Sequence, residues 1–165
     1  MRQMNFKTRP GNSQMVLNAL LRTEEKTTIP WIGYQEHVKY HSITLEEQGY
    51  NVERFETAEE GIAALKSKNY PLIILQDWFE SLGKFDLPNS IDVDRPTGIT
   101  CYFLRQVRKM PAYSKTPIVV PHCLSNQGGD LAEFREAGAT LLFDLLQRDP
   151  CSKLVEKVNE LLGKK

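Results

Sequence analysis

Two apolar runs of strand length each end in side chains that can do chemistry. Residues 71–75 are followed by Gln76 and Asp77, and residues 117–121 are followed by His122 and Cys123. The carboxyl ends of parallel strands meet at one edge of a sheet, where ligands of open α/β sheets bind. If both runs are such strands, a carboxylate, an imidazole and a thiol come together there, which suggests a metal or thiol site.

Other residues could bind a metal ion, and each has a plainer interpretation. His37 and His41 are four residues apart, a helical spacing that suits metal ligation, but no third ligand can be placed beside them. We therefore favour solvent-facing or locally bonded histidines. Asp92 and Asp94 have the spacing of a calcium loop but no glutamate follows at loop spacing. The thiols of Cys101 and Cys151 are expected in packing or at the surface.

From residue 28 onward, strand and helix patterns alternate along the chain. Thr57 and Glu60 form a capping box that opens the second helix, and Asp149 before Pro150 is expected to cap the last. Short connections between such units favour a parallel sheet with helices on both faces. The predicted strands are 29–34, 50–55, 71–75, 117–120 and 140–143, and the predicted helices are 36–48, 58–68, 98–109, 131–137 and 150–162. This pattern predicts a flavodoxin-like, three-layer α/β/α sandwich with a five-stranded parallel sheet of order 2-1-3-4-5.

Two segments fall outside this alternation. Residues 1–27 are predicted to be an N-terminal arm with a short helix beginning near Asn12, and residues 28–165 form the α/β domain. A long connection, residues 78–96, is an insertion that contains Trp78, Phe79 and Phe85 as apolar anchors. Long loops in compact domains are often functional. The alternatives are a lid over the carboxyl ends of the strands and a disordered loop.

Composition excludes several classes of function. The chain of 165 residues has 21 basic and 21 acidic residues, so no net charge favours nucleic acid or an anionic membrane surface as a partner. No apolar stretch is long enough to cross a bilayer, and no secretory signal precedes the domain. Three widely spaced cysteines indicate reduced thiols. We expect a cytoplasmic protein.

Several stretches, taken in order, resemble the receiver (response-regulator) domain family of two-component signalling. They are residues 46–52, 57–65, 70–77, 98–108, 116–120, 134–139 and 154–162. The resemblance covers about residues 29–163, and it rests on the order and spacing of these stretches. It implies a single-domain, response-regulator-like signalling protein without enzymatic activity.

The resemblance also implies a phosphorylation site, most of which is replaced here. The family binds Mg²⁺ with an acidic pair after strand one and an aspartate after strand three, and the aspartate accepts the phosphoryl group. Asp77 matches that acceptor, but it is the first aspartate of the chain, and the nearest earlier acid at strand one is Glu36. His122, followed by Cys123, stands at the hydroxyl position of strand four, and Leu145 stands at the lysine position of strand five. The sequence therefore resembles an atypical receiver, or pseudo-receiver.

Three functions remain open from the sequence. The first is an atypical receiver that acts through protein–protein interaction without the usual Mg²⁺-dependent phosphorylation. The second is a phosphorelay regulator phosphorylated at Asp77, with Glu36 and Asp77 as weak metal ligands and Mg²⁺ as its only cofactor. The third is a small flavodoxin-like cofactor binder, which the lone Gly33 after strand one disfavours. Partners would be a histidine kinase or an output protein, and a homodimer is an alternative assembly.

Overall fold

A computed structural model describes residues 26–34, 39–77, 79, 83–91, 96–123 and 128–164. Its strands are β1 (Thr28–Ile32), β2 (Asn51–Phe55), β3 (Ile73–Leu75), β4 (Ile118–His122) and β5 (Leu141–Asp144). They form one parallel sheet in the order β2-β1-β3-β4-β5. The predicted flavodoxin-like fold and strand order are therefore confirmed.

Helices separate the strands along the chain. They are α1 (Lys39–Glu47), α2 (Ala58–Ser67), α3 (Pro96–Lys109), α4 (Gly128–Ala137) and α5 (Pro150–Leu161), with a short 3-10 helix at Pro111–Tyr113. Several predicted features fall on residues outside the described ranges: the short helix near Asn12, Glu36, His37, Trp78, Asp92 and Asp94. None of the described helices is long and apolar enough to cross a membrane.

The sheet is buried on both faces because its strands alternate their side chains between two apolar clusters. Ile29, Trp31 and Ile74 point to the face covered by α1 and α5, where Leu45 and Leu154 pack. The opposite face carries a second cluster beneath α2, α3 and α4, whose largest members include Ile32, Ile73, Leu75, Phe103 and Phe134. This two-sided burial explains why the strands read as continuous apolar runs in the sequence.

Helix ends show one predicted cap formed and one not formed. At α2, the Thr57 side chain accepts a hydrogen bond from the Glu60 N–H, and the Glu60 carboxylate accepts from the Thr57 N–H. At α5, Asp149 is the N-cap residue and Pro150 opens the helix, as predicted, but the expected side-chain cap is not formed. Asp149 occupies the capping position with a left-handed backbone (φ 53°), and its carboxylate makes no capping bond. A capping side chain needs an extended backbone to reach the helix amides, and this conformation directs it elsewhere.

Candidate functional site at the carboxyl edge of the sheet

Asp77 lies two residues beyond the end of β3. The Gln76 N–H donates to the Ile32 carbonyl oxygen at 2.8 Å, so the chain follows the sheet up to the aspartate. The Thr100 hydroxyl of α3 donates to the Asp77 carbonyl oxygen at 3.2 Å. The Asp77 side chain is half-buried and accepts a hydrogen bond from Gln76 Nε2 at 3.2 Å. Strand, helix and amide together fix the position of this carboxylate.

His122 is the last residue of β4 and is buried. It pairs in register with Asp144, the last residue of β5, and its carbonyl oxygen accepts from the Leu145 N–H at 2.9 Å. Its Nδ1 is buried without a hydrogen-bond partner among the described residues. The strand geometry therefore holds an imidazole at the same sheet edge as Asp77.

The two carboxylates and the imidazole act on one another electrostatically. Burial lowers the pKa of His122, while the negative charges of Asp144 and Asp77 raise it in part. Burial raises the pKa of Asp77, and the neighbouring His122 and several hydrogen bonds oppose that shift. Burial is the largest influence on the pKa of both groups, and it acts against the charged form of each.

Cys123 is exposed and follows His122 directly. Its backbone N–H donates to the Asp77 carboxylate. Burial and the charges of Asp77 and Asp144 raise the pKa of the Cys123 thiol above its ordinary value. Because the thiolate is the reactive form, this environment favours an unreactive thiol. The clear contribution of Cys123 to the site is therefore the hydrogen bond from its backbone N–H, and not its thiol.

Leu145 stands next to this cluster but belongs to the core. It is half-buried and packs against the apolar cluster beneath α1 and α5. Leu146, the next residue, is 63% exposed, and its N–H donates to the Asp144 carboxylate at 2.8 Å. The chain at the end of β5 thus presents a carboxylate and an exposed leucine.

The sequence-predicted site residues Asp77, His122 and Cys123 lie together at one sheet edge. Asp144 also belongs to this cluster, and the sequence analysis missed it. It ends a strand whose neighbour ends in His122, and this shared edge was the signal that could have found it. Glu36, the other proposed metal ligand, lies outside the described residues.

Metal ligation receives no support from the residues that the structure describes. Among them, no group of three or more His, Cys, Asp or Glu side chains is arranged to hold a metal ion.

His41 is only 9% exposed, and neither ring nitrogen has a hydrogen-bond partner within the described ranges. Burial lowers the pKa of His41. It is a packed histidine rather than the solvent-facing or locally bonded side chain that we expected.

Comparison with known proteins gives matches in structure only. No family model matches the sequence, and no curated protein matches it. A chemotaxis response regulator of Vibrio cholerae is similar over 83% of this chain and 99% of its own, with 19% identity and a TM-score of 0.62. A response regulator from Thermotoga maritima covers 84% of this chain and 99% of its own, with 14% identity and a TM-score of 0.61. The chain has the receiver fold.

A third structure with this fold is the signal receiver domain of a histidine kinase from Syntrophus aciditrophicus. It covers 82% of this chain and 89% of its own, with 20% identity and a TM-score of 0.58. At identities of 14–20% these comparisons show a shared fold and nothing more. The function must therefore be argued from the site itself.

Proposed function

We propose that this protein is an atypical receiver that acts in signalling through protein–protein interaction, without the usual Mg²⁺-dependent phosphorylation. The observation that carries this proposal is the pair of residues at the ends of β4 and β5. A buried His122 and a core-packed Leu145 occupy the positions where the receiver resemblance implies a hydroxyl and a lysine. The two groups that would bind a phosphoryl oxygen are thus replaced.

The chemistry of these replacements disfavours the phosphoryl switch. A leucine side chain has no hydrogen-bond donor, so Leu145 cannot pair with a phosphoryl oxygen. His122 has a buried Nδ1, and burial lowers its pKa, which opposes its use as a cation near neutral pH. An aspartyl phosphate formed here would therefore lack the contacts that report it.

The acidic groups near Asp77 also differ from a magnesium site. Mg²⁺ requires hard oxygen ligands in octahedral geometry. Asp77 is the first aspartate of the chain, so strand one supplies no aspartate pair. The second carboxylate near His122 is Asp144 at the end of β5, where its oxygen already accepts the Leu146 N–H. We propose that the protein needs no cofactor, and that it works in the cytoplasm on a signalling partner such as a histidine kinase or an output protein.

One observation favours the alternative of a phospho-accepting regulator. Asp77 keeps the acceptor position after β3, and its side chain is half-buried rather than fully enclosed. In that case Asp77 would attack a phosphoryl donor, with Mg²⁺ bound through Asp77 and Glu36. Phosphorylation would then depend on an incomplete ligand set.

A labelling experiment separates the two functions. The intact protein is incubated with acetyl phosphate and Mg²⁺ beside an ordinary receiver, and the mass of each is measured. The proposal expects no gain of a phosphoryl group under conditions that label the ordinary receiver. A Mg²⁺-dependent gain that is lost in Asp77→Asn and kept in the matched Asp144→Asn variant would establish the alternative instead.

A further inference from the structure

A groove of about 620 Å³ lies between α2 and α3, on the sheet face opposite α1 and α5. Its third wall is residues 83–91 of the long connection, which we call the strap. The strap contributes Lys84, Phe85 and Asp86 to the lining. The helices contribute Ile62, Lys66, Tyr102 and Lys109, and Met110 lines the groove directly after α3. The groove is separate from the carboxyl-edge site, since neither Asp77 nor His122 lines it.

The strap is attached to both helices. The ring of Phe85 packs on Tyr102 and Phe103 of α3, with centroid distances of 5.8 and 5.5 Å. At α2, the Glu59 carboxylate accepts the Lys84 N–H at 2.7 Å. Gly83 has φ +62°, and a Cβ there would lie 2.9 Å from the Glu59 Cβ, so glycine is favoured at this turn. These contacts hold the strap in place, so the third wall of the groove is formed before any partner binds.

The groove combines an apolar floor with a basic rim. Ile62, Phe85, Tyr102 and Met110 are half-buried, so each keeps part of its surface open to the groove. The ammonium groups of Lys66, Lys84 and Lys109 form no ion pair with the described carboxylates. Partly exposed apolar side chains beside lysines that form no ion pair are features of a binding surface.

Two acidic residues also line the groove, and they cancel only part of its positive charge. Glu59 uses a carboxylate oxygen to hold the strap, and Asp86 is exposed at the rim. Three lysines against these two acids leave the lining with a positive excess. The excess is local, because the whole chain has no net charge.

We propose that this groove binds an acidic, amphipathic segment of a partner protein. Apolar side chains of that segment would enter the floor, and its carboxylates would meet the lysine rim. Pockets that bind small ligands have volumes of about 300–1000 Å³. The groove falls within this range, so it has room for a few side chains of the partner segment. This inference rests on the proposed function, because it names the surface through which a signalling partner is bound.

Peptide selection on the intact protein tests the proposal. A phage library of random peptides is selected on the wild type, and an enriched peptide is titrated by fluorescence anisotropy. We expect enrichment of aspartate or glutamate together with leucine, isoleucine or aromatic residues. The charge-reversed variant Lys66→Glu/Lys109→Glu should weaken binding at least ~10-fold. Replacing the peptide's acids by amides should have a similar effect.

A matched variant controls for general electrostatics. Lys39→Glu/Lys153→Glu makes the same change in net charge at exposed lysines of α1 and α5, on the other face of the sheet. It should leave the peptide affinity unchanged. Ala63→Trp, at an exposed α2 position that lines the groove, should block the peptide while circular dichroism shows the fold intact.

Three results would overturn the inference. They are equal weakening by both charge-reversed variants, full affinity in Ala63→Trp, and selection of peptides without acidic residues. None of these depends on phosphorylation of Asp77. If the groove does not bind such a peptide, the inference fails, but the proposed function is still decided by the labelling experiment.

Discussion

His122 lies directly opposite Asp144 in the register of β4 and β5, and both residues end their strands. The Asp144 carboxylate raises the pKa of this imidazole, as does Asp77 from the end of β3, while burial lowers it more strongly. An ordinary receiver is expected to have a hydroxyl where this imidazole stands. In this chain the end of β4 therefore carries a titratable group whose pKa depends on two acids.

This coupling predicts the effect of a single charge. Asp144→Asn should lower the pKa of His122, because it removes a negative charge that stabilises the imidazolium. The asparagine oxygen can still accept the Leu146 N–H, so the loop is preserved. The imidazole resonance is followed by NMR over a pH titration and assigned by its absence in His122→Gln.

Asp149→Asn is the control for that titration. Asp149 is exposed in the connection after β5, and it is not among the charges that shift His122. Its replacement should leave the His122 pKa at the wild-type value. An unchanged or higher pKa in Asp144→Asn would show that the two side chains are not coupled.

Much of the fold could be predicted because its signals are local. Continuous apolar runs mark strands that are buried on both faces, and Thr57 with Glu60 marks the start of α2 by side-chain chemistry alone. The absence of a capping bond from Asp149 could not be predicted in this way. Its left-handed backbone is a property of the turn between β5 and α5 and is not carried by the residue type.

The site was only partly predictable because it depends on contacts between distant segments. Asp77 and His122 were found by their places after apolar runs, but Asp144 becomes part of the site only through the β4–β5 register. The strap is a similar case. Phe85 was identified as an apolar anchor, yet its contacts with Tyr102 and Phe103 depend on how α3 packs on the sheet.

Arg108 should be a strong contributor to stability. Its guanidinium donates to the carbonyl oxygens of Gly138, Tyr113 and Thr116 at 2.6 to 2.9 Å, which joins α3 to two loops. Arg108→Met would leave these acceptors without their charged donor. We expect a loss of about 3 kcal/mol in the free energy of unfolding, measured by urea denaturation.

Arg105 provides the comparison for Arg108. It lies on the same helix and is exposed. Arg105→Met should change the free energy of unfolding by less than about 0.5 kcal/mol. Similar losses in the two variants would mean that the carbonyl contacts of Arg108 add nothing beyond an ordinary surface arginine.

Replacing Gly61 by alanine should destabilise the protein, although alanine usually stabilises a helix relative to glycine. Gly61 lies inside α2, where alanine normally stabilises a helix by about 1 kcal/mol. Here a Cβ would lie 2.5 Å from Cγ2 of Ile32, which is fully buried in β1 and cannot move aside freely. Gly61→Ala should therefore cost about 1–3 kcal/mol from overpacking. At exposed Ala63 the change to glycine should cost about 1 kcal/mol. A Gly61→Ala protein more stable than wild type would contradict the close approach of α2 to β1.

His41 should make stability depend on pH. Burial lowers its pKa from 6.5, so the unfolded chain takes up a proton more readily than the folded protein. Stability is therefore expected to fall as the pH decreases below about 6.5, with His122 contributing in the same direction. In His41→Leu the unfolded chain has one fewer histidine that can take up a proton. It should reduce the stability loss between about pH 7.5 and about pH 5.5, measured by urea unfolding at each pH. The neighbouring Tyr40 is 76% exposed, so Tyr40→Leu should keep the wild-type slope. Identical slopes for His41→Leu and wild type would show that the buried imidazole is not the group that titrates.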